Sequence, residues 1–424
     1  MIRCGMSETD ITPQLGLPIP GYLNARFADG IKDNLYARAA VFRRDDETAA
    51  LISIDALDFE AEDVKRIRER VYEFTKIPEQ NVMVCLTHTH TGGPVVNCFG
   101  TKRDEAYISF LIEKAAEAVA SADSKLKPVK LGFGKGKAEN IAFNRRYVMK
   151  DGSVKTNPGR KNPNVQKPAG PVDPDLTMMI ITDTDDRPLG AVVNFACHLD
   201  TVGGNEFCAD YPGELSRILK AVYGKDFCTL FLNGFSGNIN HIDIHAESKP
   251  DPYHYKKMGA VLAGEVIKTR PFIQCREDVS VKVKSKILPI PLRTVSEDEY
   301  QKAKELLASE DTPAIEKVFA EELLVFSQYK TKEIPVEIQV IQIGDAFITG
   351  FPGDIFTEFG LRIKEEKPGF VHFLSSHTNG RHGYIPVKEA FAQGGYEVRT
   401  TRSSKLAHEA GDIMTAAAIE LFSS

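Results

Sequence analysis

The stretch that decides the fold is AALISID at residues 49–55, followed by a charged amphipathic segment at 62–76 and then VMVCL at 82–86. Two short apolar, β-branched runs around a segment with helical spacing read as strand, helix, strand, so the first third of the chain is α/β in character. Outward from there the alternation continues. Helical spacing returns at 105–122, 213–223, 257–268, 296–308, 355–364 and 407–422, and strand-like runs occur at 178–182, 191–196, 228–232 and 336–349. The expected architecture is a mixed β-sheet core with flanking helices, a single domain over 1–424. A small insertion is possible at about 278–332, where a lysine-rich run, a helix and an acidic stretch follow one another. One irregular tract, 150–175, is rich in Pro, Gly, Asn and Lys, and is expected to be an active-site loop that gates substrate. No internal repeat stands out in the residues.

The chain holds 53 Lys and Arg against 59 Asp and Glu, a formal net charge of −6, which argues against nucleic acid as a partner. No apolar run of ~18 residues occurs, so a membrane span is not expected. The N-terminus MIRCGMSETDITPQLG lacks a basic segment followed by an apolar one. On this reading the protein is cytoplasmic, or secreted if the chain is a mature form. Seven cysteines without a CxxC pair read as reduced, mostly buried thiols. A small-molecule substrate is the expected partner, and the oligomeric state is not legible.

The strongest chemical signal is Leu86-Thr87-His88-Thr89-His90-Thr91-Gly92-Gly93, which opens directly from an apolar run and ends in two turn-permitting glycines. His-x-His on an extended backbone throws both rings to one side, so one can ligate a metal while the other faces substrate. The alternative is a hydrogen-bonded surface turn. His198 stands at the end of a second apolar run, 191–197, and a divalent zinc ion needs ligands gathered from separate strands in this way. Gly350-Phe-Pro-Gly-Asp354 offers a carboxylate, with a helix N-cap as the plain alternative. The loop His377-Thr-Asn-Gly-Arg381-His382-Gly-Tyr384 crowds further polar groups, as a site or as a bonded turn. Ser236 lacks the Gly-x-Ser-x-Gly frame of a nucleophile elbow, and no phosphate-binding glycine loop is present.

Together these residues resemble the neutral/alkaline non-lysosomal ceramidases, zinc-dependent amidases of the N-acyl bond of ceramide. The resemblance runs from Asp10-Ile-Thr-Pro and Gly21-Tyr22 through Leu35-Tyr-Ala-Arg-Ala39, Thr87-His-Thr-His90, Asn144-Arg145, Phe195-Ala-Cys-His198 and Ala209-Asp-Tyr-Pro-Gly213. It continues through Gly237-Asn238, Pro352-Gly353 and Tyr384-Ile385 to Tyr396-Glu397. It implies a ceramidase-like catalytic domain in which His88, His198, Asp354 and Tyr384 hold Zn²⁺, His90 faces substrate, and Arg145 and Tyr396 line the site. Two departures stand out. Asn240 occupies the place of the family's serine, and Asp354 that of its ligand glutamate. The chain is also expected to be a short member without the family's C-terminal immunoglobulin-like domain.

The resulting expectation is a metal-dependent hydrolase that cleaves an amide bond of a small or polar substrate with a metal-activated water. His90, at an ordinary histidine pKa of ~6.5, would move the proton, and Asn240 or Arg145 would donate to the oxyanion. Arg160 and Arg381, with Tyr396, would contact substrate. The alternatives are a non-catalytic metal-binding homologue, or a hydrolase of an ester, lactone or glycosidic bond.

Overall fold

In the computed structural model, which describes residues 1–249 and 251–423, the strand–helix–strand around residues 49–86 is one part of a larger unit that occurs three times. Each unit runs strand, connection, antiparallel hairpin, helix, parallel strand, helix. The first comprises Arg3–Asp10, the hairpin Tyr36–Arg44 and Glu47–Ile54, helix Ala61–Thr75, strand Val82–Leu86 and helix Glu105–Ser124. The second comprises Lys130–Lys137, Asp175–Thr182 with Pro188–Phe195, Tyr211–Tyr223, Cys228–Asn233 and His254–Thr269. The third comprises Val281–Pro291, Glu333–Ile343 with Ala346–Gly350, Thr357–Glu366, Val371–Ser375 and Ala410–Leu421. Within each sheet the four strands lie side by side in chain order, the last two parallel and the others antiparallel. The repeat missing from the sequence is therefore present in the backbone. It escapes a residue-by-residue reading because strand order and crossover recur while the side chains do not.

Alternation along the strands explains the layers. Ala50, Ile52 and Ile54 face the helices of the first unit, with Ile67, Val71 and Leu111. Ala49 and Leu51 point the other way, into a core shared with Met179 and Val192 of the second sheet and Ile341 and Ile348 of the third. The inner faces of three sheets thus meet in one apolar centre, and pairs of helices cover the outer faces. Strands buried on both faces read as continuous apolar runs, which is why VMVCL carries no alternation. Each fully buried Leu, Ile or Val contributes about 1.5–3 kcal/mol. Local chemistry fixes the ends: the helix Glu297–Ala308 starts at a capping box formed by Ser296 and Glu299.

The connections between first and second strands carry the irregular sequence. The tract at 150–175 is not a bare loop, since Val154–Thr156 and Val165–Pro168 both pair with Arg146–Met149. The run at 336–349 is two strands, broken at a turn where Gly344 adopts a φ of 54°. Between Val281–Pro291 and Glu333–Ile343 the chain forms a helical pair, Glu297–Ala308 and Ala314–Phe326, the second covering an acidic stretch not expected to be helical. Among the described residues no helix is long and apolar enough to cross a membrane.

Candidate functional site

The third and fourth strands of the three units deliver their C-terminal ends to one place. Asp58 follows Glu47–Ile54 and His88 follows Val82–Leu86; His198 follows Pro188–Phe195; Asp354 follows Ala346–Gly350 and His377 follows Val371–Ser375. Polar ties hold the sheets together at this end. Leu86 N–H donates to His377 O at 3.1 Å, Val84 N–H to Asn379 Oδ1 at 2.9 Å, and the Asn194 amide to Leu232 O and Leu374 O, both at 2.8 Å.

Three histidines present the same polarity. Nδ1 of His88, His90 and His198 lies against the carbonyls of Leu57 (2.7 Å), Gly21 (3.1 Å) and Ser236 (3.1 Å), so each Nδ1–H donates and each Nε2 keeps its lone pair as an acceptor. The Nε2 atoms of His88 and His198 stand 3.5 and 3.6 Å from Asp354 Oδ1. That is too long for hydrogen bonds. It suits atoms sharing one ion, because metal bonds of about 2.0–2.1 Å in a tetrahedron place the ligand atoms about 3.3–3.4 Å apart. Asp354 Oδ1 and the Nε2 atoms of His90 and His198 are buried with no hydrogen-bond partner. Unpaired buried acceptors of this kind are costly unless something positive completes them, so the residues fit a divalent metal. The ring nitrogens of His88, His90 and His198 lie within 4.8 Å of one another.

Burial keeps these rings neutral, as ligation requires. It pushes His88 down to about 3, with His377 adding to the shift, and His90 down to about 4, with His88 adding. His198 is lowered as well, by burial and then by the charge of Arg145. His90 therefore departs from the ordinary value expected from sequence, and burial holds its ring neutral. The shift expected of Asp354 in an apolar site, upward through burial, is also present.

Asp354 is not a helix cap. It lies in the two-residue strand Asp354–Ile355, paired in parallel with Tyr384–Ile385, and the following helix takes Phe356 as its N-cap with no side-chain bond. This pairing sets Asp354 opposite Tyr384. Behind Tyr384 stands Tyr396, their hydroxyls 3.5 Å apart, with the Arg145 guanidinium 5.3 and 5.1 Å from the two ring centres. Arg145 donates to Gly237 O at 2.5 Å.

A cavity of about 330 Å³ opens beside the histidines, lined by His88, His90, Asp354, Tyr384, Asp58 and Arg381, and also by Arg402 and Lys405. Arg381 is ion-paired with Asp58 (3.4 Å) and Glu60 (3.3 Å). Arg160 and Asn240 do not line this cavity, and Asn240 adjoins the site through its neighbour Ile239, whose carbonyl accepts from His198 N–H at 3.4 Å. Arg160 belongs to the neighbourhood of His241, whose Nδ1 is 3.1 Å from Asp200 Oδ1. Asn240 donates from its amide to Asn157 Oδ1 at 3.0 Å and accepts from Ile242 N–H at 3.0 Å, so about half of its bonding capacity is spent within the fold. Asp58 and His377 were left without a role by the sequence reading. One signal for His377 was present: Ser376-His377-Thr378-Asn379 echoes Thr87-His88-Thr89-His90.

The family profile of the neutral/alkaline non-lysosomal ceramidase N-terminal domain matches residues 2–208, which contain His88, His90, Arg145 and His198. Residues 2–208 are thus similar to the neutral/alkaline non-lysosomal ceramidases. A curated member of this ceramidase family, the neutral ceramidase of Pseudomonas aeruginosa, is 23% identical over 209 residues, 46% of this chain and 30% of the relative. The match thus spans about a third of that ceramidase's length. The crystal structure of the Pseudomonas aeruginosa neutral ceramidase superposes with a TM-score of 0.76 at 18% identity, covering 99% of this chain and 73% of that one. A ceramidase complexed with C2 superposes with a TM-score of 0.72 at 17% identity, covering 99% and 74%. The ceramidase fold therefore extends beyond residue 208 to nearly the whole chain. The carboxylate at 354 coincides with a close backbone approach: a Cβ on Gly237 would sit 2.3 Å from Asp354 O.

Proposed function

We propose that this chain is a metal-dependent hydrolase of an amide (N-acyl) bond, with His88, His198, Asp354 and Tyr384 holding Zn²⁺. The observation that carries the reading is the approach of two imidazole Nε2 atoms to the unpaired Asp354 Oδ1, on the wall of the cavity. A divalent metal there supplies positive charge that polarises the acyl carbonyl and acidifies a water. His90, neutral and with its Nε2 free, takes a proton from the attacking water and returns it to the leaving nitrogen. Arg145 keeps the Tyr384 and Tyr396 rings in place under its guanidinium and is itself anchored on Gly237 O. With Asn240 in place of the family serine, the reaction proceeds without an acyl-enzyme on that residue.

The cavity favours a polar acyl compound. Its volume is at the small end of the roughly 300–1,000 Å³ usual for ligand sites, and Arg381, Arg402 and Lys405 are among its lining residues. The test is hydrolysis by the zinc-loaded protein of a panel of N-acyl amides, esters, lactones and glycosides. Amide cleavage that is abolished by chelation and restored by zinc supports the reading. Bound zinc without cleavage of any N-acyl compound overturns it in favour of a non-catalytic metal-binding protein or a hydrolase of another bond.

A further inference from the structure

His377 occupies in the third unit the place that His88 occupies in the first. Each follows the fourth strand of its unit by two residues, and each has a left-handed backbone, with φ of 49° and 68°. Each donates its backbone N–H to the turn beyond the third strand, His88 to Ala56 O at 2.9 Å and His377 to Gly353 O at 3.2 Å. Asp58 and Asp354 are counterparts in the same sense, each four residues beyond the third strand. The site therefore holds two equivalent aspartate–histidine pairs, of which the proposed metal set uses His88 from one and Asp354 from the other.

The remaining members, His377 and Asp58, are fully buried and in contact with that set. His377 Nε2 is 3.6 Å from Asp354 Oδ1, and its Nδ1 is 3.6 Å from Asp58 Oδ2. Neither ring nitrogen has a hydrogen-bond partner. The His377 ring stacks on His88 with centres 3.7 Å apart and planes 11° from parallel. Parallel rings run their lone pairs side by side, whereas the His88 and His198 rings, 4.9 Å apart at 88°, can converge on one ion. Stacking thus argues against His377 as a ligand of the same metal. A second ion between Asp58, His88 and His377 would face the Arg381 guanidinium, whose Nε is 3.4 Å from Asp58 Oδ2.

We propose that His377 is a positioning residue of the metal centre, its Nε2 edge packed toward Asp354 Oδ1 and its ring supporting the His88 ring by stacking, with Asp58 against its other edge. Asp58 is itself anchored by Arg381 and by Phe59 N–H at 3.2 Å. The inference rests on the metal-dependent reading above. Its physical content is that ligating carboxylates and imidazoles need partners that fix their orientation, and that losing such a partner lowers metal affinity by about 10- to 100-fold.

The experiment measures zinc affinity by chelator competition, and the visible spectrum of the cobalt-substituted protein, for wild type, His377→Phe, His377→Gln and Asp58→Asn. His377→Phe keeps a flat ring but removes the ring nitrogens that face Asp354 and Asp58; His377→Gln keeps a polar group at that edge. The expected result is a zinc affinity about 10- to 100-fold lower in His377→Phe, partly rescued in His377→Gln, with wild-type coordination geometry in cobalt throughout. Wild-type affinity in His377→Phe overturns the proposal, and a change of cobalt geometry in both His377 variants overturns it in favour of direct ligation. Circular dichroism of the metal-free proteins reports folding. If His377→Phe does not fold, Asp58→Asn decides, and wild-type affinity there overturns the proposal. Failure of the wild type itself to bind zinc would instead refute the metal-dependent reading on which the proposal stands.

Discussion

Glu397 Oε1 lies 3.2 Å from Arg145 Nε, both side chains buried, so the guanidinium beneath Tyr384 and Tyr396 has its countercharge inside the protein. The same carboxylate meets Arg146 Nη1 at 2.9 Å and accepts from Thr156 Oγ1 at 2.8 Å. Removing one partner of such a buried group costs about 3–5 kcal/mol, because the other charge is left uncompensated. Glu397→Gln is expected to lower the unfolding free energy by that amount in urea titrations and to reduce turnover through displacement of Arg145. An unchanged urea midpoint would show that Gly237 O alone holds Arg145.

Gly237 packs against the strand that carries Asp354, its N–H donating to Ile355 O at 2.7 Å. A methyl group there would meet Asp354 O at 2.3 Å, and backbone has to move. Gly237→Ala is expected to destabilise by about 1–3 kcal/mol. Because Asp354 shifts with the strand, hydrolysis should fall by about 100-fold, more than the stability change explains. Thermal unfolding and steady-state kinetics on the same preparation check both.

Ser236 offers its carbonyl, not its hydroxyl, to the site: Ser236 O faces His198 Nδ1 at 3.1 Å while Oγ donates to Asn233 Oδ1 at 3.3 Å. Ser236→Ala should therefore lose about 1 kcal/mol of stability and keep most of its activity. Near-complete loss of turnover in a folded Ser236→Ala protein would make this serine a nucleophile.

His372 provides a pH signature outside the site. Burial lowers its imidazole from 6.5 to about 4, and its Nε2 lies 3.0 Å from Lys367 O. Below about pH 6.5 the unfolded chain takes up a proton that native His372 refuses, so this contribution to stability is complete above that pH and is lost as pH falls toward 4. Between about pH 7 and about pH 5 the wild type should lose about 2 kcal/mol more than His372→Gln. Parallel loss in both proteins would show that His372 titrates alike folded and unfolded.

The parts of the site legible in sequence were those that combine a reactive residue with the end of an apolar run: His88, His198 and, less distinctly, Asp354. His377 met the same criterion after 371–375, but that strand contains His372 and is preceded by charged residues, which weakened its apolar signal. Asn240 shows what residue type alone leaves open. A residue type suited to catalysis says nothing about whether neighbours such as Asn157 have already taken up its hydrogen bonds.

By itself the sequence determined many of the local elements, though not the helix Ala314–Phe326 or the break between Glu333–Ile343 and Ala346–Gly350. Period-2 and helical patterns, capping residues and turn glycines act over a few neighbours, and they placed Val82–Leu86 and Glu105–Ser124 with little error. Only the tertiary structure decided that three sheets share one core and bring strand ends from all three units to Asp354 Oδ1. That choice depends on strand order, register and the packing of inner faces between segments far apart in the chain. No local periodicity encodes these contacts.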